Sequence, residues 1–178
     1  HVEACWRYCD DIISGAIPAC EMVKLACERA KRDLDATNSP FEFDAAKAER
    51  VCKFVRALPH TKGKWAAKRD PFVIQPFQAF IVGQLFGWVR KKDGLRRFRK
   101  ALVMLPRKNG KSDIAARIGL YMFAADGEHG AEVYSGATTE KQAWEVFRPA
   151  LMMAKATPAF LDRYGVQTFK QSIAIPET

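Results

Sequence analysis

A short apolar run, Ala101 to Leu105, turns at Pro106 into the basic loop Arg107-Lys108-Asn109-Gly110-Lys111-Ser112. The chain then runs into Asp113-Ile-Ala-Ala-Arg-Ile-Gly-Leu120, which has helical character. Strand, tight loop, Gly-Lys-Ser and helix in that order are the layout of a P-loop. The chemistry explains the residue types. A helix N-terminus leaves backbone N–H groups unpaired and directed at an anion. Gly110 lets the backbone approach a phosphate, Lys111 places a positive charge beside it, and the Ser112 hydroxyl can ligate Mg²⁺. The standard spacing asks for a further glycine at position 105, where this chain has Leu105. A bare Gly-Lys-Ser is also met in surface turns. The strand before it and the helix after it favour the phosphate loop.

Composition sets the outer bounds. A chain of 178 residues has room for one domain, or one domain with an appendage. Its hydrophobic share, 48%, is enough for a core. No apolar run reaches the roughly 18 residues that a membrane-spanning helix needs, and no signal peptide is visible at the N-terminus. The chain starts at His1 without Met and stops at Thr178, which predicts a piece of a longer protein. A net charge of +9 suggests a polyanionic partner and says nothing about fold. The five cysteines, Cys5, Cys9, Cys20, Cys27 and Cys52, lie in helix-like sequence. They are expected to be small buried apolar residues of a reducing compartment. His1, Cys5 and Cys9 share an i, i+4 spacing, but no second ligand pair stands at a zinc-site spacing.

Residues 3–36 predict two helices, broken near Ser14-Gly15 and restarted at Pro18. Met22, Leu25, Ala26 and Arg29 mark the apolar side of the second. Asn38-Ser39-Pro40 is a turn, and Asp44 caps a helix over 45–58 whose stripe is Val51, Phe54, Val55 and Leu58, stopped by Pro59. His60 to Asp70 is a basic loop around Trp65, either a solvated linker or a functional segment. Pro76 suits the first turn of the next helix, with Gln78 at its start and Trp88 at its end. Arg90 to Lys100 carries seven basic residues against Asp93, with Asp93-Gly94 marking a hairpin or loop. That cluster is equally a solvated surface or a patch contacting DNA phosphates through Arg96, Arg97 and Arg99. Glu132 to Ala137 is expected to be a second strand, Thr138 or Thr139 to cap a helix that fades before Pro158, and Phe169 to Ile175 to be a third strand. Strands alternating with helices predict an α/β domain with a largely parallel sheet.

Three pieces stand in order: Pro76-Phe77-Gln78 opening a helix that ends Leu-Phe-Gly-Trp88, then Leu-Pro-Arg-Lys-Asn-Gly-Lys-Ser112, then Ala137-Thr-Thr-Glu-Lys-Gln-Ala143. Together they resemble the ATPase part of the large terminase subunit of tailed bacteriophages. The resemblance covers residues 42 to 178 and includes His60-Thr-Lys-Gly-Lys-Trp65. The missing first glycine is normal in that family. The resemblance implies a RecA-like (ASCE-type) P-loop NTPase core, here incomplete. Residues 1–70 would be an N-terminal helical segment and 71–178 the first part of the ATPase domain, with the nuclease domain absent.

The implied activity is ATP hydrolysis driving double-stranded DNA into a procapsid, in the host cell cytoplasm. The intact protein would also be an endonuclease. The implied partners are the small terminase subunit, the portal protein and further copies in a ring, with no membrane. ATP and Mg²⁺ are the implied ligands. Lys111 would bind phosphate, Ser112 would ligate the metal, and Arg107 would sense or stabilise the γ-phosphate. Lys108, Asn109 and Gly110 complete the cradle, and Gln78 would read the adenine edge or act as a helix cap. Thr138, Thr139 and Gln142 match a segment that either couples to DNA or caps a helix.

The family's strand ending in Asp-Glu is not found. Tyr121-Met-Phe-Ala-Ala-Asp126 follows the loop helix too closely and is expected to finish it, so residues 1–178 are expected not to turn over ATP by themselves. A helicase-like ATPase and a non-enzymatic basic DNA-binding domain are the rival readings.

Overall fold

The computed structural model describes residues 1–68 and 70–176; Arg69 of the basic loop and the terminal Glu177 and Thr178 lie outside the described residues. In chain order the elements are α1 (Val2–Ile13), α2 (Glu21–Asp35), β1 (Phe41–Phe43), α3 (Ala45–Ala57), α4 (Gly63–Lys68), α5 (Pro76–Gly87) and β2 (Trp88–Arg90). They continue with α6 (Lys111–Ala124), α7 (Glu140–Lys155), α8 (Pro158–Tyr164), β3 (Gln167–Thr168) and β4 (Ile173–Ala174). Contacts divide the chain into two units. One holds His1–Lys53 with Ile74–Leu102, the other Phe54–Val73 with Val103–Thr178. Each therefore draws on chain from both sides of position 70.

In the first unit, Cys5, Cys9 and Ile12 recur at helical spacing and are buried on α1. The buried side of α2 is not the expected one. Cys27 and Ala30 are fully buried, with Val23 packed beside them, while Met22 is 74% and Leu25 48% exposed. Small residues at the contact let two helices approach closely, which outranks the larger transfer energy of Met or Leu on the other side. Four of the cysteines are buried and Cys20 is exposed. The His1 imidazole pairs with Glu49 at 2.9 Å, and among the described residues no group of His, Cys, Asp or Glu gathers to hold a metal.

Helix α5 is apolar nearly all round and buried on several sides. Its inward Gln84 accepts from the Trp88 indole N–H at 2.9 Å and donates to the Cys5 sulfur at 3.8 Å. β1, which the sequence did not reveal, pairs antiparallel with β2 in the register Phe41↔Arg90, Glu42↔Val89, Phe43↔Trp88. Edge-to-face rings, Trp6 on Phe43 at 4.9 Å and Phe43 on Trp88 at 5.5 Å, fix that small sheet to α1. Beyond β2 the chain turns at Gly94 (φ +69°) and returns through a bridge between Val89 and Arg96, so the hairpin alternative is the one found.

In the second unit, α6, α7 and α8 enclose Leu58, Ala116, Leu120, Met153, Ala154 and Phe160. Asp44 caps α3 as expected, accepting from Lys47 N–H at 2.9 Å, and Thr139 caps α7.

The expected parallel sheet is not present among the described residues; both sheets are two-stranded and antiparallel. Residues 101–105 and 132–137 have strand-like composition but no ladder partners, and they run as irregular chain. A strand exists only when its N–H and C=O groups meet a neighbour's. Leu102, Met104 and Tyr134 are accordingly 85%, 81% and 84% exposed. The third expected strand, 169–175, is replaced by a hairpin: Gln167–Thr168 pairs with Ile173–Ala174, and Phe169 N–H donates to the Ser172 carbonyl at 2.8 Å.

Candidate functional site

The loop before α6 is built from alternating backbone signs. Lys108 sits at φ +68° and Gly110 at φ +71°, with Asn109 at negative φ between them. Glycine adopts the left-handed region freely; for Lys108 it costs about 1–2 kcal/mol. Alternation of this kind is what turns successive N–H groups toward one side as an anion-binding nest. Gly110 is the N-cap of α6 and has no side chain to cap it. The first bond of the helix runs from Ile114 N–H to the Gly110 carbonyl at 2.9 Å, so the N–H groups of Lys111, Ser112 and Asp113 point forward from the first turn.

Two side chains brace this curl from within. The Lys111 ammonium reaches back to the Leu105 carbonyl and, at 3.0 Å, to that of Pro106. Asn109 Nδ2 donates to the carbonyls of Pro106 and Arg107, both at 3.4 Å. Arg107 and Lys108 are exposed and Ser112 is half-buried. Residues 107–112 are thus brought together in one short cationic loop on a helix N-terminus, where the macrodipole adds its positive end.

Behind the loop stands a residue that the sequence did not single out. Arg117 is fully buried, and its guanidinium donates to Asp113 Oδ2 at 2.8 Å. It also donates to the carbonyls of Val55 at 2.7 Å, Leu58 at 2.6 Å and Pro59 at 2.9 Å. Those carbonyls belong to the end of α3 and the residues after it, which a helix leaves without partners. The Phe72 ring covers the guanidinium, 3.6 Å from its centroid. Burial lowers the Arg117 pKa and the Asp113 carboxylate opposes the fall; arginine stays charged regardless. The signal in the sequence was the i, i+4 spacing of Asp113 and Arg117; its burial was not visible.

Gln78 lies in the first unit, 7% exposed, inside a capping box. Its Oε1 accepts from the Gln75 N–H at 2.9 Å. This uses one lone pair of the oxygen and leaves the amide N–H₂ outside the cap.

The basic hairpin has two kinds of residue. Arg97, with its side chain 19% exposed, lies 2.9 Å from Asp33, out of line for a hydrogen bond. Its guanidinium stacks on Phe41 (4.7 Å), Phe98 (5.0 Å) and Trp88 (5.2 Å). Arg96 rests on Phe86. Arg90 is paired with Asp93, whereas Lys91, Lys92, Arg99 and Lys100 stand exposed. Thr138 donates to the Gln142 side chain at 2.6 Å and Thr139 accepts the Gln142 N–H, so this trio forms a helix cap.

Asp126 follows the end of α6, its N–H donating to the Tyr121 carbonyl at 2.9 Å. Tyr121 to Ala124 complete the helix, as expected.

Residues 76–177 match the family model described as "Terminase large subunit, ATPase domain". No curated protein and no solved structure matches the chain.

Proposed function

We propose, because this chain belongs to the family of the terminase large subunit ATPase domain, that its loop Pro106–Ser112 holds the phosphates of ATP and that the protein works as a viral DNA-packaging ATPase. The observation that carries the reading is the curled, cationic loop on the open first turn of α6. The free N–H groups of Lys111 and Ser112 and the Gly110 turn supply neutral donors, and Lys111 supplies the point charge. Lys111 would exchange the Leu105 and Pro106 carbonyls for phosphate oxygens. Exposed Arg107 would neutralise charge that develops on the γ-phosphate, with Lys108 and Asn109 closing the cradle.

Mg²⁺ fits this loop through one group. The Ser112 hydroxyl is a hard oxygen at the right place in the motif, and Mg²⁺ takes its other ligands from phosphates, waters and one or two carboxylates. Bound there, the ion would neutralise phosphate charge. Asp113 is engaged with Arg117 and Glu132 accepts from Tyr134 O–H at 3.0 Å. The strand ending in Asp-Glu that the resemblance implies is not found in residues 1–178, and these residues are therefore expected to bind ATP without turning it over.

A RecA-like P-loop core is proposed on the family membership alone. Gln78 is proposed to meet adenine through its side-chain amide, a role that rests on the resemblance alone. The hairpin is proposed to meet double-stranded DNA with Arg96 and Arg99 through phosphates, since packaging must accept any sequence. Arg97 would support that hairpin from below. A bacteriophage origin, the host cytoplasm, a nuclease activity in the whole protein, a ring of copies, the portal and the small subunit complete the proposal.

The test is DNA translocation by the whole protein. ATP should drive it on DNA of any sequence, and Lys111→Ala should abolish it. Translocation that survives Lys111→Ala would refute the assignment.

A further inference from the structure

Asp113 is the third residue of α6, the position from which a carboxylate in a capping box accepts from the N-cap N–H, here that of Gly110, and from which its charge faces the open N–H groups of the first turn. Gly110 offers no side-chain cap, so the N–H groups of the first turn stand open beside that carboxylate. They are the donors the phosphate reading requires. An acid here is therefore an internal competitor for the phosphate, carrying the same charge and tethered at short range.

In the structure Asp113 does not do this. Its Oδ2 is drawn away to Arg117 Nε at 2.8 Å, one turn further along α6. Arg117 itself donates to the carbonyls of Val55, Leu58 and Pro59 and is covered by the Phe72 ring. A fully buried guanidinium cannot swing to solvent without leaving three carbonyls unpaired and a charge uncompensated.

We propose that Arg117 is a positioning residue for the nucleotide site: it withholds the Asp113 carboxylate from the first turn of α6 and so keeps that turn open to phosphate. The inference rests on the reading of Pro106–Ser112 as the phosphate loop. It gives the segment 54–73 a bearing on nucleotide affinity, because that segment supplies the carbonyls and the ring that fix Arg117. Asp113 takes no part in binding; its charge is what must be held away.

The test uses the whole protein and measures the Kd for ATP together with thermal unfolding, for the wild type, Arg117→Met, Asp113→Asn and the double variant. Arg117→Met should weaken ATP by about tenfold, the loss expected of a freed carboxylate at a helix terminus, and lower the Tm. Asp113→Asn added to it should restore the affinity to near the wild-type value while the Tm stays low, because the carbonyls remain uncapped.

A purely structural Arg117 predicts affinity lost without rescue, and that result would overturn the proposal, as would an unchanged affinity in Arg117→Met. If Arg117→Met does not fold, Asp113→Asn alone decides. It should move ATP affinity by less than about twofold, since the carboxylate it removes is already turned away from the first turn, while the Tm falls as the buried guanidinium loses its partner. A tenfold gain would show that Arg117 does not withhold the carboxylate, and a tenfold loss that the carboxylate serves the site directly; either overturns the proposal. A wild type that does not bind ATP would overturn the phosphate-loop reading itself, and this proposal with it.

Discussion

Gly87 closes α5 where the chain passes into β2, and the space beside it is already filled. A Cβ built there would lie 2.5 and 2.8 Å from the Phe43 ring and 3.0 Å from the Ala48 Cβ. The Phe43 ring cannot simply swing aside, since it is held between Trp6 at 4.9 Å and Trp88 at 5.5 Å. Gly87 is not at positive φ, so no backbone strain opposes alanine there.

Two terms then compete in Gly87→Ala. Lower chain entropy of the unfolded state favours alanine by about 0.4–1 kcal/mol. Overpacking costs about 1–3 kcal/mol, and the closeness of two ring carbons puts this site in the upper part of that range. The net expectation is a loss of roughly 1–2 kcal/mol, or about 2–8 °C in Tm for a chain of this size. The assay is urea and thermal unfolding of Gly87→Ala beside Gly136→Ala, whose Cβ would meet nothing within 4 Å. Gly136→Ala should be neutral or slightly stabilising. A Gly87→Ala protein as stable as the wild type would refute the packing argument for the junction of α5, β1 and β2.

Native protein should react with a thiol reagent at Cys20 alone, and denatured protein at all five cysteines. Cys20 is the exposed one, and burial pushes Cys5 up to about 11 and Cys52 to about 12; labelling followed by peptide mass spectrometry reads this directly. Arg97→Ala should cost stability, on the order of 3 kcal/mol as a mostly buried charge pair is broken. Arg99→Ala should leave stability unchanged while reducing the salt slope of DNA binding by about one; an equal stability loss in both would contradict the division of the hairpin. Gln78→Ala should lower stability by roughly 0.5–2 kcal/mol through the lost cap and weaken ATP more than GTP. Equal losses for the two nucleotides would leave the cap as its whole role.

Four helix boundaries were legible because their signals are local, whereas α4, inside the segment expected to be a loop, and α8 were not. Asp44 before α3, Pro59 after it, Pro76 at the start of α5 and Thr139 before α7 act through their own backbone geometry and hydrogen bonds. The inward face of α2 was not legible. A hydropathy stripe ranks Met22 and Leu25 above Cys27 and Ala30, but close helix approach selects for small size. Strands were the least legible, because a strand is made by its partner. Phe41-Glu-Phe43 is too short to advertise itself yet pairs with β2, while the longer apolar runs at 101–105 and 132–137 find no ladder among the described residues.

At the site, the loop 107–112 was readable as a motif, since its chemistry is carried by residue types at fixed spacing. The burial of Arg117 was not. An arginine four residues after an aspartate resembles an ordinary surface pair. Only the arrival of the Val55, Leu58 and Pro59 carbonyls around it shows otherwise. The same holds for Arg97, one of several cations in its segment, which tertiary contact alone sets apart.

Nucleotide binding at the α6 loop bears most directly on the central claim. Isothermal titration of ATP in the presence of Mg²⁺ should give saturable binding to the wild type. Lys111→Ala should weaken it by roughly 10- to 100-fold, the worth of a charge-assisted contact of about 1.5–3 kcal/mol. Equal affinity for ATP in the wild type and Lys111→Ala would contradict the account.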